Sequence, residues 1–195
     1  MSFAKTIPFI IITSLFIQCG NDTSKKTPLL FPEHWRSEVI EFPLEFAPSL
    51  QYSGTEYICF SPGWGKQGAP DYFSCAFLWV IDQDPKLSPK KLETAMETYF
   101  DGLMSTVSKS DQNSTQKNIT SKAFFENVNE GVYVGKILTY DAFTTKKEVS
   151  LNIIVNNSFC NAQNKHLILF TISPQAPDHQ IWKKMKKLSI DMECE

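Results

Sequence analysis

Tyr72–Ile81 reads YFSCAFLWVI and has no polar face. Taken in alternation, Phe73, Cys75, Phe77, Trp79 and Ile81 point one way, while Ala76, Leu78 and Val80 point the other. A strand that is apolar on both sides is covered on both sides, so this one belongs inside a sandwiched sheet. His166–Ser173 (HLILFTIS) has the same character and is expected at the centre too.

Around these two segments the rest of the sheet falls into place. Ser37–Phe42 and Glu56–Phe60 read as strands before Tyr72–Ile81, with Leu44–Leu50 irregular between them. Ser61–Asp71 (SPGWGKQGAPD) is a loop, because its glycines and prolines break any ladder. Lys122–Asn127, Val132–Tyr140 and Lys147–Asn156 are further strands. In the last of these, Val149, Leu151, Ile153 and Val155 alternate with Ser150, Asn152 and Asn156, which gives one wet face.

Two helices complete the pattern. Ser88-Pro89 is an N-cap followed by proline at the first helical position. Leu92, Ala95, Met96, Tyr99, Phe100, Leu103 and Val107 then recur at helical spacing, with Glu93, Glu97 and Asp101 opposite. Ser108–Ser121 is polar and aperiodic and reads as a long loop. After Pro174 and Pro177, Asp178 is expected to cap a last helix that buries Ile181, Trp182, Met185 and Leu188. Lys183, Lys184, Lys186 and Lys187 lie on its solvated side. The fold class expected is α+β: a mainly antiparallel sheet of about six to seven strands covered by helices.

The chain opens MSFAKTIPFIIITSLFIQCG: a cation at Lys5, an apolar run over Ile7–Ile17, then Cys19. As a helix this run spans roughly 16 Å, against a hydrocarbon core of about 30 Å, so a cleaved export signal is favoured over a spanning helix. Leu15–Gly20 (LFIQCG) resembles the lipobox of bacterial lipoproteins, with Phe16 and Gln18 in place of the usual aliphatic and small residues. The resemblance implies that the Cys19 thiol takes up a diacylglyceryl group and becomes the new N-terminus, carrying two or three acyl chains such as palmitate. Several chains make attachment lasting, where one does not. An ordinary secretory signal cut near Cys19–Gly20 is the alternative. The division expected is a signal peptide over 1–18, a lipidated N-terminus and polar tether over 19–31, and one α+β domain over 32–195.

Removal of 1–18 leaves 18 basic against 21 acidic residues, a formal charge of −3 with histidine neutral. Such a chain has no basic field for nucleic acid. Four cysteines follow Cys19, an even number that suits two disulfides in an exported protein. Cys59–Cys75 and Cys160–Cys194 are the pairs expected, since the first two lie on consecutive strands of a hairpin; four buried free thiols are the alternative. No spacing is CxxC, so zinc and thioredoxin-like chemistry are unsupported, and no metal or cofactor is expected. Asn21, Asn113, Asn118 and Asn156 open N-glycosylation sequons, which matter only for a eukaryotic source.

The segment from His166 to the closing DHQIWKKMKKLSIDMEC is similar to the end of PsbP-like domains, which are α/β/α sandwiches of exported and lumenal proteins. Glu33-His34-Trp35, Phe60-Ser61-Pro62-Gly63 and Tyr72-Phe73-Ser74 resemble a group of uncharacterised bacterial exported proteins. The likeness implies a fold and varied binding or assembly roles, with no functional residue carried over.

The chemistry on offer is sparse. There is no HExxH and no GxSxG, and Gly63–Gly68 lacks P-loop order and precedes no helix. Aromatic density stands out instead: Tyr52, Tyr57, Phe60, Trp64, Tyr72, Phe73, Phe77 and Trp79 fall within 28 positions. Trp64 sits among glycines in the polar loop. Either it folds back over the sheet edge or, with Tyr72, it forms a recognition patch; in the second case Trp64→Ala leaves thermal stability nearly unchanged.

The function expected is therefore a membrane-anchored exported lipoprotein of the cell envelope. It acts as a non-enzymatic binding or assembly module whose partners are the membrane, through its lipid, and an envelope protein or small ligand. The alternative is an exported enzyme of hydrolase type built from Glu56, Asp71, Asp141 and His166, chosen for chemical type alone. A pocket that brought His166 to a carboxylate would favour it.

Overall fold

The computed structural model describes residues 27–110 and 120–194. The signal, Cys19 and the sequons at Asn21, Asn113 and Asn118 lie outside the described residues. In chain order the elements are β1 (Leu29–Leu30), β2 (Arg36–Glu41), β3 (Gly54–Phe60), β4 (Cys75–Ile81), α1 (Pro89–Ser110), β5 (Lys122–Asn129), β6 (Val132–Tyr140), β7 (Glu148–Cys160), β8 (Lys165–Ser173), α2 (Gln180–Met185) and β9 (Ser189–Ile190).

Seven strands form one antiparallel sheet in the order β2-β3-β4-β8-β7-β6-β5. The chain leaves β4 through α1, builds the β5–β6–β7 meander, and returns β8 to the middle of the sheet beside β4. Every residue of β4 is buried, so the apolar run that specified a central strand does occupy one. The class is α+β.

Apolar residues pack on both faces. On the first, Phe77, Trp79, Ile168, Phe170, Leu151 and Ile153 meet Leu92, Met96, Tyr99, Phe100 and Met104 of α1, with Phe42, Leu44, Ala47 and Leu50 inserted beside them. The irregular segment after β2 is thus a plug for this core. On the second face, Ala76, Leu78, Val80 and Leu167 meet Ile181, Trp182, Met185 and Leu188, together with Leu29 and Trp35. Leu29 is buried in the short β1–β9 ladder, so the folded body already includes residues placed in the tether.

Two local expectations are corrected and a third is extended. Tyr72 and Phe73 are turn and Ser74 is irregular, so the strand starts only at Cys75; Phe73 takes a positive φ of 50° and donates its N–H to the Trp64 carbonyl. The cap of α2 is His179, whose Nδ1 accepts from Ile181 N at 3.2 Å, while Asp178 is exposed. Glu97 and Asp101, opposite the apolar stripe of α1, take backbone partners. Glu97 Oε1 accepts from Ala123 N at 3.2 Å and Asp101 Oδ1 from Ser121 N at 2.5 Å, which fastens the start of β5 to α1.

The cysteines divide. Cys160 and Cys194 form a disulfide across 34 residues of sequence, tying the chain end to β7. Cys59 and Cys75 are free and buried, so the expected Cys59–Cys75 pairing does not form. Register is the reason: Phe60 opposes Cys75 and Cys59 opposes Ala76. Adjacent positions on a strand point to opposite faces, and the two thiols sit in different cores.

Candidate ligand-binding site

Where β2, β3 and β4 meet α1, the packing leaves a cavity of about 340 Å³. Its floor is sheet: Ile58, Cys75, Phe77 and Ile172. One wall is α1, through Tyr99, Phe100 and Leu103, and the other is loop, through Trp64, Phe73 and Phe143. Arg36, Glu38 and Ile40 of the edge strand β2 form the rim. These walls are aromatic and aliphatic with charge only at the rim, the usual make-up of a small-molecule pocket.

Trp64 lies half-buried over the sheet edge, with ring centroids 4.9 Å from Phe60, 5.6 Å from Phe73 and 4.8 Å from Phe143. It is wall, not an exposed anchor. Trp64→Ala is accordingly expected to cost about 2 kcal/mol, below the range for fully buried tryptophan because one side meets solvent. Chemical denaturation measures this, and an unchanged midpoint would restore the exposed-patch reading. The Trp64 indole N–H is buried and has no hydrogen-bond partner among the described residues.

Two loops close the cavity, and one carboxylate holds them together. Asp141 has no solvent-accessible surface. Its Oδ1 accepts from Phe143 N and Thr144 N at 3.0 Å, and its Oδ2 accepts from Thr145 N at 2.6 Å and Tyr72 OH at 2.5 Å. Burial opposes ionisation, but the Tyr72 hydroxyl and the Thr145 and Thr144 donors outweigh it and hold the acid below its ordinary range. Tyr72 is pushed up to about 12, by burial and then by Asp141. Tyr72 is therefore a latch between loops. On the other loop, Asp71 Oδ2 accepts from Gly63 N at 3.0 Å and Ser61 Oγ donates to the Asp71 carbonyl at 2.7 Å. A Cβ on Gly63 would run into the Asp71 carboxyl, so this close approach requires glycine.

Asp141→Asn keeps one acceptor and loses the charge, and is expected to cost about 2 kcal/mol at pH 7. A carboxyl whose folded pKa is depressed contributes stability above its unfolded value near 4, and loses it as pH falls through the folded value. The gap between Asp141→Asn and the native chain should thus close on acidification below about pH 4. A gap that persists unchanged to pH 2 would contradict the clamp.

Beneath the cavity, Glu56 is fully buried on the face that also carries Ile58 and Phe60. Trp79 Nε1 donates to its Oε2 at 2.5 Å and Tyr99 OH to its Oε1 at 3.1 Å. Burial pushes its pKa up to about 7, although both donors pull the other way.

The four candidate enzyme residues are not brought together. Glu56 is in the helix-side core, Asp71 and Asp141 brace loops, and His166 packs on Phe159 with ring centroids 4.8 Å apart. No hydrogen bond joins His166 to a carboxylate among the described residues. The free thiols are poor nucleophiles as well: burial lifts Cys59 to about 12 and Cys75 further still.

On the α2 face, β5–β7 leave a second groove, of about 750 Å³, lined by Phe124, Val134, Lys136, Asn152, Ile154 and Trp182 among others. It is wider and more polar than the aromatic cavity. No protein-family model matches the sequence, and neither a curated protein nor a solved structure gives a significant match.

Proposed function

We propose that this chain is an exported lipoprotein of the cell envelope, held to the membrane by acyl chains on Cys19. Its single domain is a non-enzymatic binding module that takes up a small apolar ligand. One observation carries the binding assignment: the aromatic cavity of about 340 Å³ between α1 and β2–β4, closed by loops that Tyr72 and Asp141 latch together. Apolar walls beneath an open mouth are the form in which proteins hold small molecules.

The address is supported by the short apolar leader, by Cys19 after it, and by the Cys160–Cys194 disulfide, which suits an oxidising compartment. No helix among the described residues is long and apolar enough to cross a membrane. The two-faced sandwich is consistent with the PsbP-like reading, which we keep as part of the proposal.

Mass spectrometry of the mature chain tests the address: the expected N-terminus is Cys19 bearing two or three acyl chains. An N-terminus at Met1, or a bare Cys19, would refute it. Binding is tested by thermal unfolding with 1-decanol. The melting temperature of the native chain should rise, as it does for any ligand held by the folded state alone. Ile40→Trp, which fills the rim from a half-buried edge position, should abolish the rise; an equal rise in both chains would place the binding elsewhere.

A further inference from the structure

The rim of the cavity also bears on which apolar molecule fits. Arg36 projects from the edge strand so that its guanidinium lies 4.8 Å from the Phe60 ring centroid and 5.4 Å from that of Trp64. Both rings line the cavity, so a fixed positive charge stands over its mouth. Arg36 makes no ion pair among the described residues, although Glu38 follows two positions later on the same face of β2. A guanidinium held this way offers a planar set of donors suited to a carboxylate.

Size narrows the choice. An apolar cavity of ~150 Å³ admits benzene, so one of about 340 Å³ accommodates on the order of ten carbons. That is one chain, not the two of a diacyl lipid.

We infer that the cavity binds a single-chain carboxylate amphiphile, its tail among Phe77, Phe100, Trp64 and Phe143 and its carboxylate at Arg36. This rests on the cavity being a ligand site. Glu38 is then the opposing charge at the rim, setting a ceiling on affinity and excluding more highly charged head groups. A cationic amphiphile would need the reverse arrangement, with the carboxylate of Glu38 over the rings and the arginine turned away.

Calorimetric titration of the purified full-length chain with decanoate and with 1-decanol is the test. Decanoate is expected to bind more tightly than 1-decanol. Arg36→Gln should weaken decanoate about three- to fivefold, the scale for one solvent-exposed charge pair, and Glu38→Gln should strengthen it; neither should move 1-decanol. Dihexanoylphosphatidylglycerol, with one negative charge and two chains, should fail to displace decanoate. Equal binding of decanoate and decanol, or indifference of decanoate to Arg36→Gln, would overturn the carboxylate assignment and leave the apolar site standing. Displacement by the two-chain lipid would overturn the single-chain assignment. If neither probe binds while circular dichroism shows the native fold, the apolar site falls as well.

Discussion

Glu56→Gln is expected to leave stability unchanged near pH 4 and to raise it by about 3 kcal/mol at pH 8. The carboxyl is wholly buried, and its pKa rises from 4.5 to about 7, chiefly through burial. A group whose folded pKa lies above its unfolded one gives stability that is full below the unfolded value and is lost as pH rises through the folded value. Here the window runs from about 4.5 to about 7. At 1.36 kcal/mol per unit the loss across it is about 3 kcal/mol. Glutamine does not titrate. Its carbonyl can accept from Trp79 Nε1 while its amide donates to the Tyr99 hydroxyl, so both bonds survive with one reversed. Urea denaturation of the two chains between pH 4 and pH 8 gives the difference directly, with all other titrating groups cancelling. A pH-independent difference would mean that Glu56 titrates alike in the folded and unfolded chain, and burial would not raise its pKa.

Breaking the Cys160–Cys194 bridge is expected to have the largest effect of any change considered. Closing a loop of 34 residues limits the unfolded chain by about 4 kcal/mol in the chain-entropy account. For a domain of this size that corresponds to a fall in melting temperature of roughly 10 °C. The double variant Cys160→Ala with Cys194→Ala should show it, and a reductant should shift the native chain by a similar amount. Cys59→Ala should respond differently, leaving the reductant sensitivity intact, because that thiol is free and buried. If reductant moved the native chain and the double variant but spared Cys59→Ala, the bridge would involve Cys59 and the pairing would be wrong.

The sheet was legible because its two innermost strands carry apolar residues on both faces, and only a sandwiched centre tolerates that. Glu56 was partly legible. Alternation along Glu56–Phe60 puts its side chain on the face of Ile58 and Phe60, yet the donors that accept it inside, Trp79 and Tyr99, lie 23 and 43 residues away. The mistaken Cys59–Cys75 pair shows how register escapes composition. The two cysteines flank one hairpin, and a shift of a single residue exchanges the faces. With Phe60 opposite Cys75, the thiols end on opposite sides of the sheet.

The cavity was not legible, since five separate stretches of chain build it. Local sequence around Trp64 shows glycines and polar residues, and nothing there points to Phe143, which the Asp141 turn carries against it. Tyr72 was singled out for its ring, but its hydroxyl is what matters, because it reaches 69 residues along the chain to Asp141. The spacing of Glu97 and Asp101 placed them opposite the apolar stripe of α1 and went no further. That reading missed the backbone amides of Ser121 and Ala123, which only the return of the chain into β5 brings within reach.

Crystals grown with 1-bromodecane would test the binding assignment most directly, because bromine scatters anomalously and marks the position of the chain. The account places the bromine peak or the tail density inside the space bounded by Trp64, Phe77, Phe100 and Phe143. An empty cavity with the bromine lodged in the groove over β5–β7, or bound nowhere, would contradict it.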